Sequence, residues 1–392
     1  MSTIANENMR QVALSLAYLA YCGEQITTPD PEATILKYIN NGIPQIPPLA
    51  PGSNAEWNVV WGPVAYTVPG ALYQDNLMYV AQNTTNSQYV IAIRGTNFVS
   101  NLDWLMEDFD VLQQMPWPPG STASTGSPMI SESTSIDLQI VLAMQDKMFN
   151  GGTLLDFLST VTKNKSITLC VTGHSLGGCL ASALTLYLKQ NQVKWDNWQR
   201  KSIVSGITFA APTAGNAAFA DLFSVFEGGP YPSGWDPTIG SAFDPVQCSY
   251  DVAPMAWVAD NVYNNGNSPL LNIYAPASGF STTNIAFNDN YLDAGSDAAF
   301  NLLLPTFFPK IAGFISAQGY TQPGVTSYSS LQGVFEPGQG PELVAPGEWF
   351  GSNSLLTVFD AFVAQAAWQH GSSYPNLLGV TELLNPNIIP KT

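Results

Sequence analysis

The sequence TGHSLGG, residues 172–178, joins two segments of opposite character. The apolar run before it, SITLCVT at residues 166–172, is typical of a fully buried strand. The residues after it, 177–190, are mostly good helix formers. A serine between two glycines at such a strand-to-helix junction predicts a nucleophile elbow, which is a tight turn that exposes the Ser175 hydroxyl at the end of a sheet.

The glycines that flank Ser175 are predicted to have a steric role. Strand and helix backbones pass close to each other at such a turn, so a Cβ at Gly173 or Gly177 is expected to collide with the opposing chain. Ser175 then lies at the positive end of the helix dipole, where negative charge is stabilised. The alternative is an N-cap serine in a glycine-rich turn, with no chemical role.

The chain contains only two histidines, and one of them would have to activate Ser175 as a base. Side chains of adjacent residues on a sharp turn point in different directions, so His174 is expected to pack beside the elbow and not to contact the serine hydroxyl. His370 follows the helical run FVAQAAWQ and precedes GSSY, at a helix end from which it can reach the elbow. His370 is therefore the predicted base, and the alternative is a surface histidine at a helix C-terminus.

An acid is predicted between the serine and the histidine, because α/β-hydrolase chains carry these groups in the order serine, acid, histidine. VQCSYDVAP, residues 246–254, predicts a short strand followed by Asp251. Asp251 would hold the tautomer of His370 and stabilise its imidazolium form. The alternatives are Asp236, Asp244 and Asp260.

Two hydrogen-bond donors are expected near the serine for the oxyanion of a tetrahedral intermediate. The backbone N–H of Leu176, directly after the nucleophile, is one candidate. Thr96, in IAIRGTNF after an early strand, offers an N–H and a hydroxyl as the other. Arg94 in the same segment is expected to be structural and to pair with an acidic neighbour.

Strands alternate with helical patterns over residues 88–212, which predicts an α/β fold with a mainly parallel central sheet and helices on both faces. One domain is predicted for residues 1–392, with a cap-like insertion at about 259–320, since no linker or internal repeat divides the chain. Strands are predicted at 57–68, 76–82, 88–96, 166–172 and 202–209, an amphipathic first helix at 12–22, and further helices at 136–149 and 177–190.

The charge of the chain limits its partners. It has 12 basic and 29 acidic residues and a net charge of −17, without the basic stripe that nucleic-acid binding requires. The same charge is repelled by anionic lipid surfaces. A neutral or uncharged substrate is the simpler expectation.

The cysteines and the apolar segments exclude further classes of function. The spacing of the four cysteines matches no metal site, so they are expected to be small core side chains, and no metal or organic cofactor is expected. No stretch reaches the roughly 18 apolar residues of a transmembrane span. The sequence shows no signal peptide, so we expect a cytoplasmic protein or a secreted one whose signal is already absent.

Four segments together resemble the class 3 lipases, the fungal-type triacylglycerol lipase family with an α/β-hydrolase fold. They are VTGHSLGG at the elbow, IAIRGTNFVSNLDW at the oxyanion loop, ITFAAPTAGNAAFA after the nucleophile helix and YDVAP around the acid. The resemblance implies Ser175 as nucleophile, Asp251 as acid and His370 as base. It also implies Thr96 and Leu176 as oxyanion donors. The chain departs from the family at MISESTSIDL, where a His-Gly-Phe sequence is common, and in its long gap between acid and base.

The resemblance implies a serine carboxylic-ester hydrolase that cleaves acylglycerols without a cofactor, a lipase of lipid degradation that meets its substrate at a transient lipid–water interface. A phospholipase A1 or a feruloyl-type esterase on the same scaffold is the alternative, and a non-catalytic lipid-binding module is another. The Pro-rich segment 108–120 either covers the site as a lid or packs its Trp117 into the core.

Overall fold

The computed structural model does not describe Thr96. Of the predicted insertion at about 259–320, it describes only residues 319 and 320. The described residues are 9–28, 30–50, 56–69, 71, 73–95, 113–149, 151–236, 240–255, 258, 319–322, 331 and 366–392.

Among the described residues, six strands form one sheet, and two more form a separate hairpin. The strands are β1 (Trp57–Tyr66), β2 (Asn76–Asn83), β3 (Gln88–Ile93), β4 (Gln114–Pro116), β5 (Met129–Ser131), β6 (Thr168–His174), β7 (Ile203–Phe209) and β8 (Phe243–Val246). The strand order in the large sheet is β1-β2-β3-β6-β7-β8. Strands β1, β2 and β3 pair antiparallel, whereas β3, β6, β7 and β8 pair parallel. The α/β-hydrolase fold that the sequence predicts is therefore confirmed, with a mainly parallel sheet.

The helices flank the sheet. They are α1 (Met9–Leu19), α2 (Glu32–Gly42), α3 (Glu132–Ala143), α4 (Leu154–Val161), α5 (Leu176–Gln190), α6 (Ala217–Asp221) and α7 (Ser373–Leu378). Short 3₁₀ turns lie at Ile43–Gln45, Gln192–Lys194, Leu222–Phe226, Ala253–Met255 and Thr381–Leu384. Residues 366–371 are also helical. None of the helices in the described ranges has the length and apolarity that a bilayer crossing needs.

The sheet is buried on both faces, and successive residues of a strand enter different hydrophobic cores. Leu77 and Tyr79 of β2 pack into the core that contains α1 and α2. Met78 and Val80 of the same strand pack into the core that contains α3 and α5. Side chains alternate across a strand, so this division follows directly from strand geometry. Burial on both faces explains why these strands read as continuous apolar runs.

The parallel strands end at nearly the same level. Ile93 of β3 is in register with Gly173, and His174 at the end of β6 is in register with Phe209. Phe209 is in turn paired with Val246, the last residue of β8. The loops that follow these strands therefore emerge together, at the sheet edge where ligands bind in open α/β folds.

Helix α1 departs from the sequence-based expectation. An amphipathic helix was expected, but every residue from Val12 to Leu19 is buried. The sheet covers one side of the helix, and the C-terminal part of the chain covers the other, where Gln11 Nε2 donates to the Leu378 carbonyl at 2.8 Å. The amphipathic interpretation was wrong because this second cover comes from residues more than 350 positions away.

The bounds of α3 and of β8 also differ from expectation. Helix α3 begins earlier than predicted because the Ser131 side chain caps it by accepting from the Thr134 N–H. It ends at Ala143, and the Asp146 carboxylate then accepts from the Met148 N–H in a turn. The sequence predicts a short strand directly before Asp251. Strand β8 instead ends at Val246, so that prediction was wrong.

Trp117 packs in the interior, away from the elbow. It is only 5% exposed, and its ring meets Phe219 edge to face at 5.2 Å between centroids. Its indole N–H donates to the Gln190 side chain at 2.9 Å. Gln190 ends α5, whose first residue follows Ser175, so at 1.5 Å per residue the indole lies about 20 Å from the serine. This position favours the packing interpretation of Trp117 over the lid.

We expect Trp117→Ser to lower the free energy of unfolding by about 3 kcal/mol, since it removes a buried aromatic ring and its hydrogen bond. Chemical denaturation measures this loss. Met115→Ser on the same hairpin is the control, because that side chain is 39% exposed and its removal should change stability little. Hydrolysis of emulsified and soluble esters should fall together with the folded fraction. A selective loss of hydrolysis of emulsified long-chain esters, at unchanged stability, would favour the lid interpretation instead.

Candidate active site

Ser175 occupies a strained backbone position between β6 and α5. Its φ is 60° and its ψ is −133°, a combination that non-glycine residues rarely adopt. A Cβ on Gly173 would lie 2.2 Å from the Gly177 carbonyl oxygen, and one on Gly177 would lie 2.5 Å from the Ile93 carbonyl oxygen. The predicted steric role of both glycines is therefore confirmed.

Backbone hydrogen bonds hold the strained turn in place. The Ser175 N–H donates to the Phe209 carbonyl on β7 at 2.9 Å. The Ser175 carbonyl accepts from Gly178 and Cys179 at 2.8 and 3.1 Å, which begins α5. The serine side chain makes no capping bond to this helix. The N-cap alternative is therefore wrong, and the hydroxyl is left for another partner.

That partner is the imidazole of His370. The His370 Nε2 and the Ser175 Oγ are 2.8 Å apart. On the other side of the ring, Nδ1 lies 3.0 and 3.1 Å from the two carboxylate oxygens of Asp251. Because the carboxylate can only accept, Nδ1 carries the proton and Nε2 is free to take one from the serine. The structure thus brings Ser175, His370 and Asp251 into one hydrogen-bonded series.

All three side chains are shielded from solvent. Ser175 is 3% exposed, and Asp251 and His370 are fully buried. A buried carboxylate needs several donors. Asp251 has them, since it accepts from the Ala253 N–H at 3.0 Å and from the Tyr374 hydroxyl at 2.7 Å, besides the His370 ring.

Tyr374 is a site residue that the sequence reasoning missed. Its hydroxyl donates to Asp251 and accepts from the Cys248 N–H at 3.0 Å, so it fixes both the acid and the turn that carries it. Burial and the nearby Asp251 carboxylate raise the pKa of Tyr374 well above its usual value, which keeps it a donor. The available signal was its position four residues after His370, since residues at that spacing share a helix face.

The structure places none of the alternative acids, Asp236, Asp244 and Asp260, in a described contact with His370. Asp244 accepts a two-pronged ion pair from the Arg10 guanidinium at 2.6 and 2.9 Å. Asp236 contributes to the electrostatic environment of the same arginine. Asp260 lies outside the described residues.

His174 points away from the Ser175 hydroxyl, as expected. Its Nε2 lies 2.8 Å from the backbone carbonyl oxygen of His370, and its Nδ1 lies 3.1 Å from the Tyr21 hydroxyl. Burial is the main cause of a His174 pKa well below the usual value, followed by the electrostatic effect of His370. The ring is therefore neutral, and it is buried beside the elbow without contacting the serine hydroxyl.

The residues expected around the oxyanion are described only in part. Thr96 lies outside the described residues. Leu176 is the first residue of α5, and the first backbone N–H groups of a helix have no partner within it. Arg94 is buried and donates to the Gln74 carbonyl, with Glu24 as the acidic group in its electrostatic environment.

The cysteines are core side chains. Cys22, Cys170, Cys179 and Cys248 are buried free thiols. In the part of the chain that the structure describes, no group of three or more His, Cys, Asp or Glu side chains is arranged to hold a metal ion.

Comparison with known proteins adds the family. Residues 90–229 match the model of the class 3 lipases. The structure resembles that of M37 lipase with a TM-score of 0.69 at 28% identity, over 97% of both chains. Both comparisons support an assignment to the class 3 lipase family. Its chemistry is accordingly that of a lipolytic ester hydrolase.

Other solved lipases match less well. A lipase of Yarrowia lipolytica matches at 18% identity with a TM-score of 0.43, over 63% of this chain and 73% of its own. A lipase from Rhizopus microsporus var. chinensis matches at 19% identity with a TM-score of 0.38, over 63% of this chain and 67% of its own. No curated protein matches the chain significantly.

The class 3 lipase match includes only part of the candidate site. It spans Ser175 and Leu176 but ends before Asp251 and His370. The grouping of these two residues with the serine therefore rests on the geometry of the structure.

We expect Tyr374→Phe to lower kcat for ester hydrolysis by about tenfold, equivalent to about 1.4 kcal/mol of activation free energy. The change removes a donor to the Asp251 carboxylate and orphans the buried Cys248 N–H, so unfolding should also become easier by about 2 kcal/mol. Steady-state kinetics on a soluble ester and chemical denaturation measure the two effects.

Tyr79→Phe is the matched control for Tyr374→Phe. The Tyr79 hydroxyl is also buried and donates to the Leu16 carbonyl at 2.6 Å, but it contacts none of the three site side chains. The control should therefore lose stability and keep its kcat. If Tyr374→Phe behaved in the same way, Tyr374 would be a packing residue with no effect on the acid.

Proposed function

We propose that this class 3 lipase cleaves acylglycerol esters by a serine mechanism, with Ser175 as nucleophile, His370 as base and Asp251 as acid. The observation that carries the proposal is the unbroken series of hydrogen bonds from the Ser175 Oγ through the His370 ring to the Asp251 carboxylate. Three residues more than 70 positions apart converge in the order and the geometry that acyl transfer requires.

The reaction proceeds through an acyl-enzyme. His370 Nε2 takes the proton of Ser175 as Oγ attacks the ester carbonyl carbon, whose C–O π electrons move to the oxygen. Collapse of this intermediate breaks the ester C–O bond, and the leaving alcohol takes the proton from His370. Water then gives a proton to His370 and adds to the acyl carbon. Collapse breaks the bond to Oγ, which regains its proton and releases the fatty acid.

Asp251 supports the doubly protonated ring in each half of this cycle. When His370 carries two protons, the carboxylate faces Nδ1 at 3.0 Å in a site without solvent access, where charges interact more strongly than in water. Tyr374 and the Ala253 N–H hold the carboxylate still, so no reorganisation is needed as the imidazolium forms.

The negative oxygen of the intermediate lies near the start of α5 in this mechanism. The Leu176 N–H is the donor from the described residues, and the helix dipole adds positive potential there. Thr96, which the sequence predicts as the second donor, follows Gly95 directly. A Cβ on Gly95 would lie 3.1 Å from the Ser175 Cβ, so the chain before Thr96 passes beside the nucleophile.

The net charge favours neutral acylglycerols among the ester substrates. A chain with charge −17 gains nothing from an anionic head group and pays Coulomb repulsion to approach it. An uncharged glycerol ester meets no such barrier.

We expect Ser175→Ala to remove ester hydrolysis and leave the fold intact, since the loss of a nucleophile costs many orders of magnitude in rate. His370→Ala should be about as damaging. Hydrolysis of a soluble p-nitrophenyl ester measures the rate, and a fluorophosphonate probe should label the parent and not Ser175→Ala. The control is Ser182→Ala, which removes another buried serine of α5, one whose hydroxyl only donates to the Gly178 carbonyl. Activity above about 1% of the parent in Ser175→Ala would point to another nucleophile.

A substrate panel separates the functions that this scaffold supports. We expect faster hydrolysis of emulsified triglyceride than of phosphatidylcholine or methyl ferulate, because the triglyceride carries no charged group and is apolar, whereas phosphatidylcholine has a zwitterionic head group and methyl ferulate a polar phenol. Fatty-acid release by titration and ferulate release by absorbance measure the three rates. A faster rate on phosphatidylcholine would assign a phospholipase A1, and one on methyl ferulate a feruloyl esterase. If the fluorophosphonate probe did not label the parent protein, the non-catalytic lipid-binding module would be the favoured function.

A further inference from the structure

His174, the histidine of the elbow, contacts the backbone of the proposed base. Its Nε2 lies 2.8 Å from the His370 carbonyl oxygen, and the two rings are 4.7 Å apart between centroids. We propose that His174 is a positioning residue for ester hydrolysis: it fixes the peptide plane of His370 and ties it to the segment that leads to the oxyanion loop. This inference rests on the proposed function of Ser175 and His370.

The protonation state of His174 follows from its partners. A carbonyl oxygen can only accept, so Nε2 of His174 carries a proton and donates to His370. The ring is neutral in its buried site, so Nδ1 is an acceptor, and the Tyr21 hydroxyl at 3.1 Å is placed to donate to it. One neutral tautomer thus satisfies both contacts. A protonated ring would repel the His370 imidazolium that forms during the reaction.

Tyr21 continues the series toward the oxyanion loop. The Gly95 backbone lies beside the phenol oxygen of Tyr21. The backbones are so close here that a Cβ on Gly95 would lie 2.6 Å from both the His174 carbonyl oxygen and the Tyr21 hydroxyl. Gly95 immediately precedes Thr96, the predicted oxyanion donor. A series of contacts through Tyr21 and His174 therefore joins the chain before that donor to the backbone of the base.

A second hydroxyl holds the next carbonyl of the base segment. Tyr18 donates to the Gly371 carbonyl at 2.5 Å. In a helical run the partner of that carbonyl would be the N–H four residues later, but this position is Pro375, which has no N–H. The base segment therefore lacks a regular helical bond to the Gly371 carbonyl, and Tyr18 of α1 donates to it instead. His174 at the end of β6 contacts the preceding carbonyl, that of His370.

This geometry makes the position of the His370 ring depend on His174. The ring must stay within hydrogen-bond distance of both Ser175 and Asp251, and a displacement of about 1 Å can cost up to about a hundredfold in rate. Loss of the bond from His174 leaves the His370 carbonyl without this donor and releases one end of the base segment. Substrate binding does not involve His174, so the effect should fall on kcat and not on KM.

The experiment compares His174→Gln with His174→Leu. The amide nitrogen of glutamine can take the place of Nε2 and donate to the His370 carbonyl, whereas leucine fills the space without a donor. We expect His174→Leu to lower kcat about 10- to 100-fold at unchanged KM on a soluble short-chain ester, and His174→Gln to keep at least about a third of the parent kcat. Tyr21→Phe, which removes the other bond to the ring, should lower kcat about fivefold.

Tyr79→Phe is again the control, because it removes a buried tyrosine hydroxyl that donates to a carbonyl of α1 outside the site. Its melting temperature should fall while its kcat stays the same. The inference is overturned if folded His174→Leu keeps the parent kcat, or if His174→Gln is as inactive as His174→Leu. Should neither His174 variant fold, Tyr21→Phe decides, and an unchanged kcat in that variant overturns the inference. Failure of the proposed function has a different signature, namely activity in Ser175→Ala.

Discussion

The close contact between the backbones of β6 and α5 is the constraint on which the site depends. No side chain fits at Gly173, where a Cβ would come within 2.2 Å of the Gly177 carbonyl oxygen of α5. None fits at Gly177 either, where a Cβ would come within 2.5 Å of the Ile93 carbonyl oxygen of β3. The turn between strand and helix is consequently so tight that Ser175 must take a positive φ. Its side chain is thereby turned out of the helix and toward the base. Strain at this residue is balanced by the bonds of its N–H to β7 and of its carbonyl to α5.

The same contact explains why the other groups come from the ends of parallel strands. With the elbow fixed at the end of β6, the loops after β3, β7 and β8 lie beside it, since these strands end in register. Asp251, the proposed acid, lies on the loop after β8. His370, the proposed base, comes from the C-terminal part of the chain, and its segment is bound to α1 through Tyr18 and to the elbow through His174.

Burial determines the electrostatics of this arrangement. The Asp251 carboxylate has no access to water, so it depends on the ring of His370, the Tyr374 hydroxyl and the Ala253 N–H. Removal of any one donor leaves a buried negative charge less well satisfied. His174 is in a different environment, because its burial keeps it neutral next to the ring that we propose to become protonated during the reaction. Two histidines in contact thus differ in role because only one of them faces a carboxylate.

Much of the fold and the site could be predicted because it depends on local pattern. Apolar runs alternating with helical stretches indicate a covered parallel sheet, and the glycines around Ser175 have a steric meaning within seven residues. A chain with two histidines also leaves few choices of base. The tertiary structure alone decided the rest. Arg10 forms an ion pair with Asp244, and Tyr374 donates a hydrogen bond to Asp251. The C-terminal segment buries the outer side of α1, and Trp117 packs against Phe219. Each of these contacts joins residues far apart in the chain, and neither periodicity nor motif spacing encodes which distant side chain will fill a buried position.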